Sequence, residues 1–326
     1  MSEILLLGAA DVEAVFDLPA AIESQRAAFA ALGSGEARLA PRLLLPGPGP
    51  DDVAFCYVSR LPGTGTVAKF GSVHPGNAER GLPSVSALII VQDRADGRPI
   101  AIIEGEAVTT LRTAAASAVA VDHLAPPDAA RLAVIGTGVQ ARAHVRAIAA
   151  VRPIAEVRIC GRSTEAATDM ATELASELGI PVAADTAKAA VGAADIVATC
   201  TTSKAPVVHG AWLNPGCTVV SVGSFAPDRT EVDVDLLTRA AAVMVDDPAT
   251  AREQAGPVVA ALAAGSLTEA ELIPLGSVVA GRGTARRSPD DIVFYNSVGL
   301  GIQDTAAAAA IVEQARAAGV GRTITV

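Results

Sequence analysis

The chain has 326 residues, of which 51% are hydrophobic but only 3% aromatic, so alanine, valine and leucine must fill a core large enough for two domains. A net charge of −10, a pI near 4.9 and the lack of any basic cluster argue against nucleic acid and anionic membranes as partners, and no apolar run reaches the roughly 18–20 residues of a membrane span. The opening residues lack a signal-like pattern, Cys56, Cys160, Cys200 and Cys217 show no Cys-x-x-Cys spacing, and the four histidines form no ligand set, so a reduced, metal-free, cytoplasmic protein is expected.

A strand is predicted at 4–7. Asp17 is placed to cap a helix over 18–32, with Ile22, Gln25, Arg26 and Phe29 at helical spacing and Gly33 as its stop. Strands follow at 39–45, 53–59 and 65–70, separated by turns such as Pro46-Gly-Pro-Gly-Pro50. Residues 84–91 and 99–103, joined by Asp93-Arg-Ala-Asp-Gly97, form a hairpin. A helix of small residues over 110–124 leads to Pro126-Pro127, the predicted domain boundary. From Arg131 the pattern alternates, with strands at 132–135, 157–160, 195–199, 218–222, 242–245 and 292–294 and helices at 139–150, 164–178 and 186–191 between the earlier ones. That alternation predicts an α/β fold with a doubly wound, Rossmann-type parallel sheet. A last helix over 304–318, alanine on several faces, stops at Gly319.

The most informative stretch is Leu132 to Ile135 followed by Gly136-Thr137-Gly138-Val139-Gln140-Ala141. Strand, glycine turn and helix in that order make a dinucleotide site. Gly136 permits the tight turn, Gly138 lets a pyrophosphate approach, and Ala141 allows close helix–strand packing, while the helix start offers free N–H groups. The next strand ends in Cys160-Gly161-Arg162-Ser163-Thr164, where an arginine and two hydroxyls suit a 2′-phosphate. Glu156 has the spacing of a ribose-binding acid but precedes its strand. NADP(H) is therefore favoured over NAD(H), with an exposed Arg162 and an NAD site lacking an acid as the other reading.

Arg112 lies among small apolar residues near the predicted amino end of its helix, and a buried guanidinium there calls for an anion. That anion is a ligand carboxylate or phosphate, or else Glu104 or Glu106. Lys69 and Arg42 by themselves read as solvated strand charges, His74 as a loop residue and His144 as packing. His123 and His209 carry no signal.

Taken together, Lys69-Phe-Gly-Ser-Val-His-Pro-Gly-Asn, Gly81-Leu-Pro-Ser, Leu111-Arg-Thr-Ala-Ala-Ala-Ser-Ala, Ile135-Gly-Thr-Gly-Val-Gln-Ala and Asn296-Ser-Val-Gly resemble the ornithine cyclodeaminase/mu-crystallin family. The resemblance spans nearly the whole chain in order. It implies a homodimer with an α+β substrate-binding and dimerisation domain formed by 1–120 and 300–326, and a dinucleotide-binding domain over 121–299. It also implies that Arg42, Lys69 and Arg112 hold a substrate carboxylate, and that Thr199, Cys200, Thr201, Ser297 and Val298 line the cofactor along with Gly136 to Gln140.

Family cyclodeaminases carry an aspartate in a Gly-Gly-Asp-x-Pro-Gly-Lys stretch, where this chain reads Val222-Gly-Ser-Phe-Ala-Pro-Asp-Arg-Thr-Glu231. Phe225 takes the aspartate's place; Asp228, three residues later and just past a proline, could substitute but reads more readily as a turn residue. The Ser-Phe-x-Pro form is similar to members that reduce cyclic imino acids, Δ1-pyrroline-2-carboxylate and Δ1-piperideine-2-carboxylate, to proline and pipecolate. The resemblance thus implies an NAD(P)H-dependent imino-acid oxidoreductase in which Ser224 and Phe225 face the substrate ring and Lys69 can relay a proton. An alanine- or arginine-type amino-acid dehydrogenase, a cyclodeaminase and a non-enzymatic mu-crystallin-like binding protein are the alternatives.

Overall fold

The structure, a computed structural model, describes residues 3–49 and 51–326; Met1 and Ser2 of the opening stretch, and Pro50 of the proline–glycine turn, lie outside the described residues. It divides into two compact units, Met1–Arg112 with Leu300–Val326, and Thr113–Gly299.

The first unit is built on a mixed sheet. Edge to edge it runs Arg322–Thr325, Glu3–Leu7, Pro99–Glu104, Val85–Gln92, Val67–Val73, Val53–Arg60 and Arg38–Leu39, with Leu43–Pro46 also paired to Val53–Arg60. Glu3–Leu7 and Pro99–Glu104 are parallel, and the other pairs are antiparallel. The predicted strand over 39–45 is in fact two, because Pro41 has no N–H to continue the ladder.

Alternation along Val67–Val73 sends Val67, Lys69 and Gly71 inward and Phe70 outward. Phe70 is 59% exposed and its register neighbour Leu88 52%, and the whole Leu43–Pro46 strand is open as well. The inner face carries the helix Gly301–Ala318, and Leu18–Gly33, capped by Asp17, packs against that helix. These are tied by a Gln25 Nε2 bond to the Gln303 carbonyl (3.1 Å), and Thr305 bonds Ser59 of the sheet (2.6 Å).

The helix predicted from residue 110 begins at Gly105, because the Glu104 carboxylate accepts from the N–H groups of Glu106 (2.6 Å) and Ala107 (2.9 Å). It runs to Leu124, so the division between Arg112 and Thr113 falls inside it. Pro126-Pro127, expected as the boundary, lies within the second unit. Arg152 donates to the carbonyls of Pro126 (3.1 Å) and Ala125 (3.2 Å) and to the Asp122 carboxylate (2.8 Å), which stitches that segment in place.

The second unit is a parallel sheet in the order Val182–Ala184, Glu156–Cys160, Arg131–Ile135, Ile196–Thr199, Thr218–Ser221, Val293–Asn296, Ala242–Val245, Leu272–Pro274. The chain starts at Arg131–Ile135, winds outward one way, then returns to Ile196–Thr199 and winds the other. The order reverses between these two strands, which marks a ligand-binding crevice at their carboxyl ends. Two strands of this sheet, Val182–Ala184 and Leu272–Pro274, have only three residues each, too short to show a period. The helices Ala9–Val15, Val234–Arg239, Pro248–Gln254, Gly256–Ala263 and Leu275–Val279 were likewise not predicted. The fold is α/β, a Rossmann-type doubly wound sheet with a separate α+β unit. No helix of the described residues is long and apolar enough to cross a membrane.

Candidate active site

The glycine turn stands at the reversal point. Gly136 has φ 128°, and a Cβ there would lie 2.5 Å from the Cys200 carbonyl at the end of the neighbouring strand. Only glycine can occupy it. A Cβ on Gly138, by contrast, would meet nothing within 4 Å. Gly138 is the N-cap of Val139–Ala149 and no side chain caps that helix, so its first N–H groups have no side-chain acceptor. Ala141 is wholly buried. A bare helix start beside a glycine with room above it fits a dinucleotide pyrophosphate, with Thr137, Val139 and Gln140 as its neighbours in the turn.

Arg162 is exposed at the end of Glu156–Cys160. Ser163 caps Thr164–Leu178 by accepting from the Ala166 N–H (3.2 Å), so its acceptor is committed to the helix. Glu156 pairs with Arg158 at the start of the strand, away from the turn.

Two buried carboxylates that the sequence reading missed order the surrounding loops. Glu231 accepts from Thr199 Oγ1 (2.8 Å), Ser221 Oγ (2.9 Å) and the N–H groups of Thr201 (2.5 Å) and Gly223 (2.7 Å). Asp246 accepts from the N–H groups of Val298 (2.8 Å) and Gly299 (2.6 Å), from Ser297 Oγ (3.3 Å) and from the Tyr295 hydroxyl. Thr199 and Ser297 thus spend their hydroxyls on the protein. Burial pushes the Cys200 thiol well above its usual range, aided by Glu231, which leaves it a neutral packing group. Ser224 departs from its expected place facing a substrate ring: it is fully buried, its oxygen accepts from the Glu231 N–H (2.9 Å), and its hydroxyl lies 3.1 Å from Ser221 Oγ, whose own proton goes to Glu231. Phe225 is partly exposed with the Arg229 guanidinium 4.5 Å over its ring. Asp228 pairs with Lys204 at 2.8 Å on the surface and does not replace the missing aspartate.

In the first unit, Lys69 and Arg112 converge as expected, but on a protein group. Lys69 is 2% exposed, and its Nζ donates to Asp304 Oδ1 (2.9 Å) and Thr109 Oγ1 (2.5 Å). Arg112 Nε lies 3.5 Å from the same Asp304 oxygen, and Arg112 Nη1 donates to Gln303 Oε1 (3.3 Å). The partner is therefore neither Glu104, which caps the helix, nor Glu106, which is exposed. Nor is Arg112 near the helix's amino end, because that helix starts at Gly105. Arg42 sits in the gap before Leu43–Pro46 with its guanidinium 4.7 Å over the Tyr57 ring, and Tyr57 is Lys69's cross-strand neighbour.

Burial lowers the Lys69 ammonium below the usual lysine range, with Asp304 opposing that and Arg112 adding to it. Burial alone would raise Asp304, but Lys69 and Arg112 together outweigh it and hold the carboxyl low. Lys69 and Arg112 thus share one carboxylate, on which Arg42 also bears from further off. Asp304 left a faint mark in the sequence, a polar Gln303-Asp304-Thr305 triplet in an otherwise alanine-rich helix.

His144, on the glycine-turn helix, is wholly buried, with Nδ1 2.7 Å from the Gln140 carbonyl and Nε2 2.8 Å from Ser117 Oγ. A proton on Nδ1 serves the carbonyl, leaving Nε2 to accept from the serine. Burial brings its pKa down to about 4, so it packs as a neutral ring.

A glycine turn at the reversal point of a parallel sheet defines an α/β protein of the dinucleotide-binding class. The chain belongs to the ornithine cyclodeaminase/mu-crystallin family, which it matches over residues 3–319. It is similar to the Δ1-pyrroline-2-carboxylate reductase of Thermococcus litoralis, solved with NADH and L-proline, at 31% identity and a TM-score of 0.94, covering 98% of this chain and 100% of that one. An archaeal alanine dehydrogenase dimer with bound NAD is 30% identical, with a TM-score of 0.94 and 99% of each chain covered. The iminosuccinate reductase of Paracoccus denitrificans, solved with NAD+, is 27% identical, with a TM-score of 0.93 and 100% of each chain covered.

The two glycines separate by experiment. Gly136→Ala should destabilise the fold by about 2 kcal/mol or more, seen as a lower Tm, because it meets both a clash and a forbidden φ. Gly138→Ala should leave Tm near that of the parent yet weaken NADH and NADPH binding by roughly tenfold in a fluorescence titration. Unchanged binding in Gly138→Ala would remove the pyrophosphate from this turn.

The buried histidine gives a pH signature. Below pH 6.5 the unfolded chain binds a proton at His144 that the folded chain refuses until about pH 4. Stability should fall across that window by about 3 kcal/mol from this residue, and His144→Gln should flatten that part of a chemical-denaturation series.

Proposed function

We propose that the protein is an NAD(P)H-dependent imino-acid oxidoreductase that reduces the C=N bond of a cyclic 2-imino acid, Δ1-pyrroline-2-carboxylate or Δ1-piperideine-2-carboxylate, to proline or pipecolate. The observation that carries this reading is the buried cluster in which Lys69 and Arg112 share the one carboxylate of Asp304, two cations on one anion, a surplus that one more anion would balance. A substrate carboxylate supplies it. Arg112 and Arg42 grip the carboxylate, which fixes the adjacent C2, and Lys69 lies close enough to hand a proton to the nitrogen. Bound at Gly136 to Gln140, with Thr199 to Thr201 and Ser297-Val298 around it, a reduced nicotinamide supplies hydride. Unit Met1–Arg112 with Leu300–Val326 is then the substrate-binding and dimerisation domain, and Thr113–Gly299 the dinucleotide domain.

Phe225 offers an apolar wall where a cyclodeaminase needs an acid, and the tie between Asp228 and Lys204 speaks against a lyase. The preference for NADP(H) read from Arg162 finds no support in relatives carrying NADH, NAD and NAD+, so NAD(H) is the first cofactor to test. A second reading, reduction of an open-chain imino dicarboxylate, is favoured by the Arg229 guanidinium over Phe225, a cation able to meet a second carboxylate.

The test is oxidation of NADH and NADPH with each cyclic imino acid, and separately with pyruvate or oxaloacetate plus ammonia. Turnover with the cyclic imino acids and no ammonia supports the proposal; turnover only with oxaloacetate and ammonia selects the second reading. Arg112→Ala should cost about 10³-fold in kcat/KM while NADH still binds. Normal turnover in that variant would exclude the carboxylate anchor.

The exposed face formed by Phe70, Leu88 and Ile90, with Leu43 to Leu45 nearby, is the surface a second copy would cover. A Phe70→Arg/Leu88→Glu variant should run as a monomer in light scattering while the parent runs as a dimer. A parent that is already monomeric would rule out the dimer.

A further inference from the structure

We propose that Asp304 and Thr109 are positioning residues for the reduction, clamping the Lys69 ammonium so that a single N–H is left for the substrate. This rests on the functional reading above. An ammonium has three N–H donors. One goes to Asp304 Oδ1 at 2.9 Å and one to Thr109 Oγ1 at 2.5 Å, and among the described residues no third acceptor meets Lys69. Thr109 is locked in its accepting role because its own proton goes to the Gly105 carbonyl (2.5 Å). The same Asp304 oxygen lies 3.5 Å from Arg112 Nε, so one carboxylate sets both the proton donor and the carboxylate anchor.

Nor does the protein close this cluster by itself. Asp304 Oδ2, Arg112 Nε and Gln303 Nε2 are buried without a hydrogen-bond partner, one acceptor and two donors in one place. The charged groups that bear on Lys69 and Asp304 are Arg112 from the helix Gly105–Leu124, Arg42 from before Leu43–Pro46 and Glu104 from the end of Pro99–Glu104. Without Asp304, Lys69 would face Arg112 with only the helix-capping Glu104 in its favour, and would lose its proton at a lower pH. In the reduction C2 gains the hydride, the nitrogen gains the Lys69 proton as the C=N π bond becomes an N–H bond, and Lys69 is reprotonated from water.

The experiment compares wild type, Asp304→Asn and Thr109→Val across pH on the imino acid that the wild type reduces. Asp304→Asn should lose about 10²-fold in kcat, its alkaline limb should move to lower pH, and its Kd for NADH should stay unchanged. Thr109→Val should shift the same limb the same way with a smaller loss, which reads the proposal even if Asp304→Asn folds poorly. The double variant Lys69→Met/Asp304→Asn, which removes both charges, should recover the Tm lost in Asp304→Asn without recovering kcat. Unmoved limbs, or a double variant that regains activity, would overturn the positioning role while leaving the oxidoreductase reading intact. A wild type inactive on every imino acid would bring down the functional reading first, and this inference with it.

Discussion

The first unit depends on the 2.9 Å ion pair between Lys69, on the inner face of a central strand, and Asp304, on the helix that returns 235 residues later. Neither charge is solvated, so each is tolerable only because the other is present; removing one partner of such a pair costs about 3–5 kcal/mol. A well-packed apolar pair of similar volume would serve stability as well or better. The position holds charge instead, with Arg112 sharing the same oxygen, and it is on this cluster that the proposed function rests. The pair also explains why Leu300–Val326 belongs with the beginning of the chain: the helix Gly301–Ala318 carries the counter-ion that the strand requires.

The second unit places its loops by a related device. Glu231 and Asp246 are wholly buried, and each gathers backbone N–H groups and hydroxyls from segments beyond the carboxyl ends of different strands. Charge-assisted bonds of this kind are stronger and more directional than apolar contact. They hold the backbone after Ile196–Thr199, Thr218–Ser221 and Val293–Asn296 in fixed register around the glycine turn. Thr199, Thr201, Ser297 and Val298 are therefore shaped by the carboxylates first, and what they present to a ligand follows from that.

The segment after Thr218–Ser221 leaves the sheet and carries Phe225, Asp228 and Arg229 at the surface. Here it sets an aromatic ring under a guanidinium and spends its nearest acid on Lys204. The anchoring Glu231 closes the same loop. Binding chemistry can thus vary at Phe225 and Arg229 while Ser224 and Glu231, both buried, keep the loop's path.

What was legible in the sequence was local. Gly136 and Gly138 announce a turn because their lack of a Cβ matters within a few residues, and the alternation after Arg131 reports a parallel sheet because each strand is buried on both faces. Asp17 and Gly319 mark helix ends for the same reason, since a cap bonds its own first or last turn, whereas Ser163, read as a phosphate contact, caps its helix instead. Glu104 escaped notice because it caps from the end of a strand, moving a helix start five residues and Arg112 two turns inward. Lys69 and Arg112 were visible as cations but not their partner: Asp304 is one acid among many until folding carries it across the sheet. Thr199 and Ser224 entered as ligand contacts only through the family resemblance; that Glu231 binds the Thr199 hydroxyl and gives its N–H to Ser224 becomes visible only in the folded chain. Sequence by itself determined the class of the sheet and the place of the turn, which depend on neighbours along the chain. Only the tertiary structure decided which charges meet, because a buried charge is defined by what surrounds it in space.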